Sequence, residues 1–404
     1  MDILWGFFGI AVVFGIAFIF SSNRKAISKR TVFGGLAIQI MLGFIILKFE
    51  PGKVFLETLT NIVNSIISSA DDGIKFLFGG LIGKEDIGFI FAFQVLPIII
   101  FVSAIVSILY YAGIMQVIIK IIGGALSKLL GTSKTESLSA AANIFLGQTE
   151  APLVVKPYLA KMTRSELFAI MTGGLASVSG SVLIGYTLLG VPLEYLLVAS
   201  FLAAPAGLII AKIMMPETEK SAVSDDIEIV KDTESANVID AAARGASVGM
   251  QLALNIGAML LAFIALIALF NGFLGWIGGI FNFQNLTLEG ILGYVFSPIA
   301  FAIGVPWEEA VQAGGYIGQK LVLNEFVAYS FFGPEIDTLS PKTGIIISFA
   351  LCGFANISSI GILLGGLGGL APNRRGEIAK LGFKAVLAGM LASLLSASIA
   401  GMLF

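Results

Sequence analysis

The chain has 404 residues, 57% of them hydrophobic and only 12% charged, with a mean hydropathy of +0.96. That composition excludes a soluble globular protein and makes the bilayer the solvent. A net charge of −2 leaves no basic surface for nucleic acid, and one cysteine, Cys352, with no histidine rules out an internal disulfide and the common zinc and haem frameworks.

In chain order, apolar stretches lie near 3–20, 32–47, 88–110, 166–187, 191–213, 247–280, 343–366 and 379–404. Most approach the ~20 residues that cross ~30 Å of hydrocarbon as a helix, so eight spans are predicted. The first stretch is long for a signal-peptide core. Arg24, Lys25, Lys29 and Arg30 follow it where a small-residue cleavage site would stand, so it reads as a retained helix. Segment 113–131 has apolar residues at helical spacing with lysines to one side, segment 54–70 has a similar apolar pattern, and both read as interfacial or scaffold-like.

The basic loop at 24–30 marks a cytoplasmic face and puts both termini outside. Lys120, Lys128, Lys134, Lys156, Lys161, Arg164, Arg374, Arg375 and Lys380 fall on the same inner side. The link at 216–245 holds Glu217, Glu219, Asp225, Asp226, Glu228, Asp232 and Glu234. It is the most polar run and reads as a cytoplasmic linker between two halves.

Those halves repeat one another. GLASVS at 174–179 matches GFANIS at 353–358 at an offset of 179 residues, setting Ser177 opposite Asn356. Upstream of each lies an interrupted apolar segment with an acid, Glu150 in NIFLGQTEAP and Glu325 in KLVLNEFVAY. The loop charges give the first such segment both ends inside, and the span count gives the second both ends outside. The repeat is therefore inverted, each acid sits in a re-entrant helical hairpin, and the plan is that of a secondary transporter.

In GQTEAP, Gly147 and Pro152 bracket Gln148, Thr149 and Glu150, so the helix opens and frees backbone groups that need partners. A simple kink would not require a carboxylate, and a charge at this depth costs roughly 2.5–3.5 kcal/mol or more. Glu325 beside Asn324 follows the same logic, with a salt bridge to Lys320 as its structural alternative. Asn356 interrupts an apolar run and suits a ligand hydroxyl, while Asn143 and Ser177 with opened carbonyls offer hard oxygen donors to a small cation. Two intramembrane acids also raise proton coupling.

Through GQTEAP, LNEF at 323–326 and GFANISSIG at 353–361, the chain resembles the concentrative nucleoside transporters over essentially its whole length. The resemblance implies an all-α integral membrane protein of eight transmembrane helices plus two re-entrant hairpins, with scaffold and transport (elevator) domains. It implies a homotrimer in the plasma membrane that imports uridine-like pyrimidine or purine nucleosides with a coupling cation, sodium first and proton as the alternative. No other cofactor is implied.

On that pattern Gly147, Gln148, Thr149, Glu150 and Val182 face the nucleobase, and Glu325, Asn356 and Ser359, with Phe354 beside them, hold the ribose. Sodium maps to the side chains of Asn143 and Ser177 and the carbonyls of Leu146 and Val178. Residues 1–135 become N-terminal scaffold and interfacial helices, 136–215 the first transport repeat, 216–245 the linker, 246–304 a scaffold helix and second interfacial region, and 305–404 the second repeat. Hairpins fall at 136–161 and 306–333. An intramembrane protease lacks support because no GxGD motif is present, and a channel lacks it because the polar groups converge on one site.

Overall fold

The computed structural model describes residues 2–81, 89–221, 223, 227, 229–230, 232, 234–281 and 286–404; Asp225, Asp226 and Glu228 of the acidic link lie outside the described residues. The described residues form helices and turns without a strand. The N-terminal part comprises α1 (Asp2–Ile19), α2 (Lys29–Leu47), α3 (Glu50–Phe78), α4 (Phe91–Gln94), α5 (Leu96–Tyr111) and α6 (Ile114–Leu130). Next come α7 (Lys134–Ala142), a 3-10 segment Ala151–Lys161, α8 (Arg164–Ala176), α9 (Gly180–Leu188) and α10 (Leu193–Met214). The second half holds α11 (Val238–Ile280), α12 (Leu288–Ala302), α13 (Trp307–Val322), α14 (Glu325–Glu335), α15 (Pro341–Leu351), α16 (Ser359–Leu370) and α17 (Arg375–Leu403).

Helix starts follow from side chains that satisfy free N–H groups. Ser133 with Glu136 and Thr163 with Glu166 form capping boxes on α7 and α8, and Asn324 and Ser340 cap α14 and α15. Asn237 caps α11 through the amide of Asp240. Here the expected linker is corrected: 238–245 already belong to α11, because this cap is followed by no breaker. At 43 residues, α11 is about 65 Å long, well beyond the hydrocarbon thickness. The amphipathic element expected at 54–70 is likewise longer, spanning all of α3.

Six helices or continuous helix pairs are long and apolar enough to cross a membrane. The remaining two expected spans are α1, whose apolar stretch is Ile3–Ile19, and the pair α15 and α16, of 11 and 12 residues. α12 and α13 meet at a 116° bend. α8, α10, α15 and α17 are buried almost throughout and form the core, while α2, α5 and α11 bury one face only. Leu254, Leu261, Phe270 and Trp276 of α11 are exposed, as a surface against lipid or another subunit requires.

The repeat is visible in the caps and breaks. Thr163 and Ser340, which cap the first halves of the two broken helices, lie 177 residues apart. Ser179 and Ser358, before the second halves, lie 179 apart. From cap to second half the second repeat is thus two residues longer. Its break, 352–358, has seven residues against three at 177–179, because α15 is also two residues shorter than α8, and the offset of 179 seen in the sequence holds at the second halves. In both repeats a residue at or just after the break donates to a carbonyl at the hairpin tip: Gly180 N to Phe145 O at 3.0 Å and Ile357 N to Leu321 O at 3.1 Å.

Candidate substrate and cation site

The first hairpin turns where α7 ends at its C-cap residue Asn143. Gly147 O accepts from the amides of Glu150 at 3.0 Å and Ala151 at 2.9 Å, and Glu150 Oε2 accepts from Gly147 N at 3.2 Å. The carboxylate therefore closes its own turn. The returning arm is not the regular helix expected of a hairpin: Pro152 and Pro157 lack amide donors, Val155 (φ −120°, ψ 16°) breaks the helical run, and short 3-10 turns result. Gln148 is buried with Oε1 unpartnered. Thr149 packs so closely on α16 that a Cβ at Gly366 would fall 2.6 Å from Thr149 Cγ2.

Beside this turn lies the first break, residues 177–179. Asn143 is buried, and neither its Oδ1 nor its Nδ2 has a partner among the described residues. Ser177 Oγ donates to Gly173 O at 3.0 Å and keeps its lone pairs free. Among the described residues the carbonyls of Leu146 and Val178 accept no hydrogen bond. Buried oxygens are rarely left so. Amide, hydroxyl and carbonyl oxygens without net charge fit a small monovalent cation, and no cluster of acids for a divalent metal exists among the described residues.

The second hairpin passes from α13 to α14 through Leu323 and Asn324. Glu325 is 5% exposed. Its Oε1 accepts from Tyr186 Oη at 3.3 Å and its Oε2 from Asn356 Nδ2 at 3.0 Å. Asn356 Oδ1 accepts from Ser358 Oγ at 2.7 Å and Ser359 N at 2.9 Å, leaving the buried Ser359 Oγ unpartnered. The salt-bridge alternative does not hold. Lys320 Nζ donates to Ala350 O at 2.7 Å and Ser393 Oγ at 3.2 Å, away from Glu325. Glu325 thus has two neutral donors and no ion-pair partner among the described residues.

α9 joins the two hairpins. A Cβ at Gly147 would stand 3.6 Å from Ser179 Cβ at one end of it, Val182 is buried on it, and Tyr186 at its other end reaches Glu325. The two breaks touch directly, Phe354 N donating to Ser177 O at 3.2 Å with the Phe354 ring half-buried. A cavity of about 360 Å³ is lined by Phe145, Leu146, Glu150, Ser179 and Ser181 and runs to Tyr110, Arg244 and the linker residues Val230, Asp232 and Glu234. Sequence reasoning marked the Gly/Ser-rich stretch 176–181 without singling out Ser179 or Ser181, and it missed Tyr186. A lone tyrosine in an apolar run was the only signal, and its partner lies 139 residues away.

Family models for the N-terminus and the C-terminus of Na+ dependent nucleoside transporters match residues 8–81 and 195–401, and one described as nucleoside recognition matches 92–193. The chain belongs to the concentrative nucleoside transporter family. It is a transporter and not an enzyme. The Bacillus subtilis transporter YutK is 60% identical, with all of both chains covered. Nucleoside permease NupC of Helicobacter pylori is 49% identical over 99% of this transporter and 97% of its own length. The solved structure of CNTnw in an inward-facing substrate-bound state superposes with a TM-score of 0.95 at 53% identity, covering 100% of this transporter and 98% of that chain. An outward-facing variant of CNTnw gives 0.97 at 52% identity with the same coverage.

Proposed function

We propose that this transporter imports nucleosides across the inner membrane by sodium symport. The carrying observation is the buried Glu325 carboxylate, held by two neutral donors on a hairpin that faces a broken helix. A carboxylate so placed accepts charge-assisted hydrogen bonds from ribose hydroxyls. A substrate lacking them leaves a buried charge short of partners, which makes ribose recognition strict. Asn356 and Ser359 complete the ribose side with Phe354 beside it. Gly147, Gln148, Thr149, Glu150 and Val182 address the base, uridine-like pyrimidines and purines both being accommodated.

Sodium is held by Asn143, Ser177 and the carbonyls of Leu146 and Val178, whose unclaimed oxygens support the assignment. Proton coupling is the second reading, because Glu150 accepts only a backbone amide among the described residues. The cavity between Glu150 and the linker serves as the cytoplasmic exit. The hairpins and the buried helices α8, α10, α15 and α17 move as a transport domain against a scaffold of the peripheral helices, in an elevator cycle within a homotrimer, with both termini outside.

Accumulation of labelled uridine against its gradient in proteoliposomes tests this reading. Sodium-driven accumulation that an ionophore abolishes is expected. Accumulation driven by a proton gradient alone transfers coupling to the acids, and simple equilibration contradicts symport.

A further inference from the structure

We propose that Lys320 is a tethered cation: its ammonium occupies, in the second repeat, the position that the coupling cation takes in the first. The inference rests on the assignment of the Asn143 site to that cation. In the register counted from the caps Thr163 and Ser340, Gly173 pairs with Ala350 and Asn143 with Lys320, each 177 residues apart. The hairpin tips Phe145 and Leu321 lie 176 and the acids Glu150 and Glu325 lie 175 apart, so Lys320 stands within one or two residues of the position matching Asn143. The contacts agree with that register. Asn143 lies against Gly173, where a Cβ would stand 3.1 Å from Nδ2, and Lys320 Nζ donates to Ala350 O at 2.7 Å.

The polar surroundings match at one carbonyl. Gly173 O accepts the Ser177 hydroxyl, and Ala350 O accepts the ammonium, which also reaches Ser393 Oγ. The two sites differ in what fills them. Both polar atoms of the Asn143 amide lack a protein partner, whereas Lys320, with no exposure, supplies its own charge.

Charge balance gives the arrangement its purpose. A fully buried ammonium is costly unless compensated. Lys320 points at the Ala350 carbonyl in the last turn of α15, the negative end of that helix, and stands five residues before Glu325 in the chain. The second repeat thus balances its own carboxylate. In the first, no buried cation stands beside Glu150 among the described residues: Lys156, on the same cavity wall, is exposed, and the buried Lys212 pairs with Glu136. One mobile cation then completes the pair, and the transporter binds one coupling cation for each nucleoside.

Sodium titration of uridine binding to the purified transporter tests this, with Lys320→Asn, which copies the first repeat into the second, and Asn143→Lys, which does the reverse. Wild type should show a Hill coefficient for sodium near one. Lys320→Asn should lose about tenfold or more in uridine affinity at low sodium, corresponding to about 1.4 kcal/mol of coupling. Its Hill coefficient should rise toward two, or methylammonium should restore binding. Asn143→Lys should bind uridine independently of sodium.

A folded Lys320→Asn with wild-type sodium dependence overturns the proposal. Should that variant not fold, sodium response retained by folded Asn143→Lys overturns it instead. Absence of a sodium response in wild type is a separate result that removes the cation site itself, and the proposal with it.

Discussion

A carboxylate inside a membrane protein is tolerated when enough donors converge on it, and the number of donors left for a ligand decides what it can bind. Glu325 has two neutral donors in place, so further donors from a sugar strengthen its environment. Removing its charge while preserving its shape should be decisive: Glu325→Gln is expected to abolish uridine uptake while the protein still purifies as the wild-type oligomer, measured by proteoliposome flux and size exclusion. Tyr186→Phe removes one hydroxyl donor and preserves the ring stack on Tyr329, whose centroid lies 4.2 Å away. A neutral hydrogen bond to a charged group contributes about 1.5–3 kcal/mol, so uridine affinity should fall by roughly tenfold or more. An unchanged dissociation constant in calorimetry would remove Tyr186 from the site. At the cation site, Asn143→Ala with Ser177→Ala should eliminate sodium stimulation of uptake, checked by varying sodium at fixed membrane potential.

Among the elements, the hairpins and breaks work as a unit because their backbones come close enough to exchange hydrogen bonds. Glycine makes two of these approaches feasible. A Cβ at Gly353 would lie 2.9 Å from Ala176 O, and one at Gly366 would lie 2.6 Å from Thr149 Cγ2. Gly365, one position away, has open space around it. Gly366→Val is therefore expected to cost about 1–3 kcal/mol through overpacking and to displace the GQTEAP turn, lowering both thermal stability and uridine affinity. Gly365→Val should leave both near wild type, and equal losses in the two variants would show that the effect is not the contact with Thr149. The acids and the small-residue breaks were legible in the sequence because polar and flexible residues stand out in an apolar run. The irregular returning arm of the first hairpin was not, since two prolines in eleven residues weaken a helix without stating what replaces it.

For the whole molecule, segments near the loops read as cytoplasmic are tied to one another in pairs by contacts no loop displays by itself. Ser22 N donates to Met214 O at 2.9 Å, Arg30 Nε to Leu129 O at 3.3 Å and Arg374 Nη1 to Leu159 O at 3.3 Å, while Lys212 pairs with Glu136 at 2.7 Å. Because Cys352 is the single, buried cysteine, a Cys352→Ala background allows site-specific labelling. A cysteine at Glu219 should react with an impermeant maleimide only from the cytoplasmic side, and one at Leu4 only from outside; the reverse pattern would invert the proposed topology.

By itself the sequence determined the solvent, the helical content, the inverted repeat and the two expensive acids, because hydropathy and charge are properties of local segments that the bilayer reads directly. Only the tertiary structure decided the partners: Tyr186 and Asn356 on Glu325, the unclaimed oxygens about Asn143, and Lys320 on Ala350 in place of Glu325. A hydrogen bond depends on where two distant segments stop and turn. Here the two repeats differ by two residues between cap and second half, and composition and periodicity do not show where those residues fall.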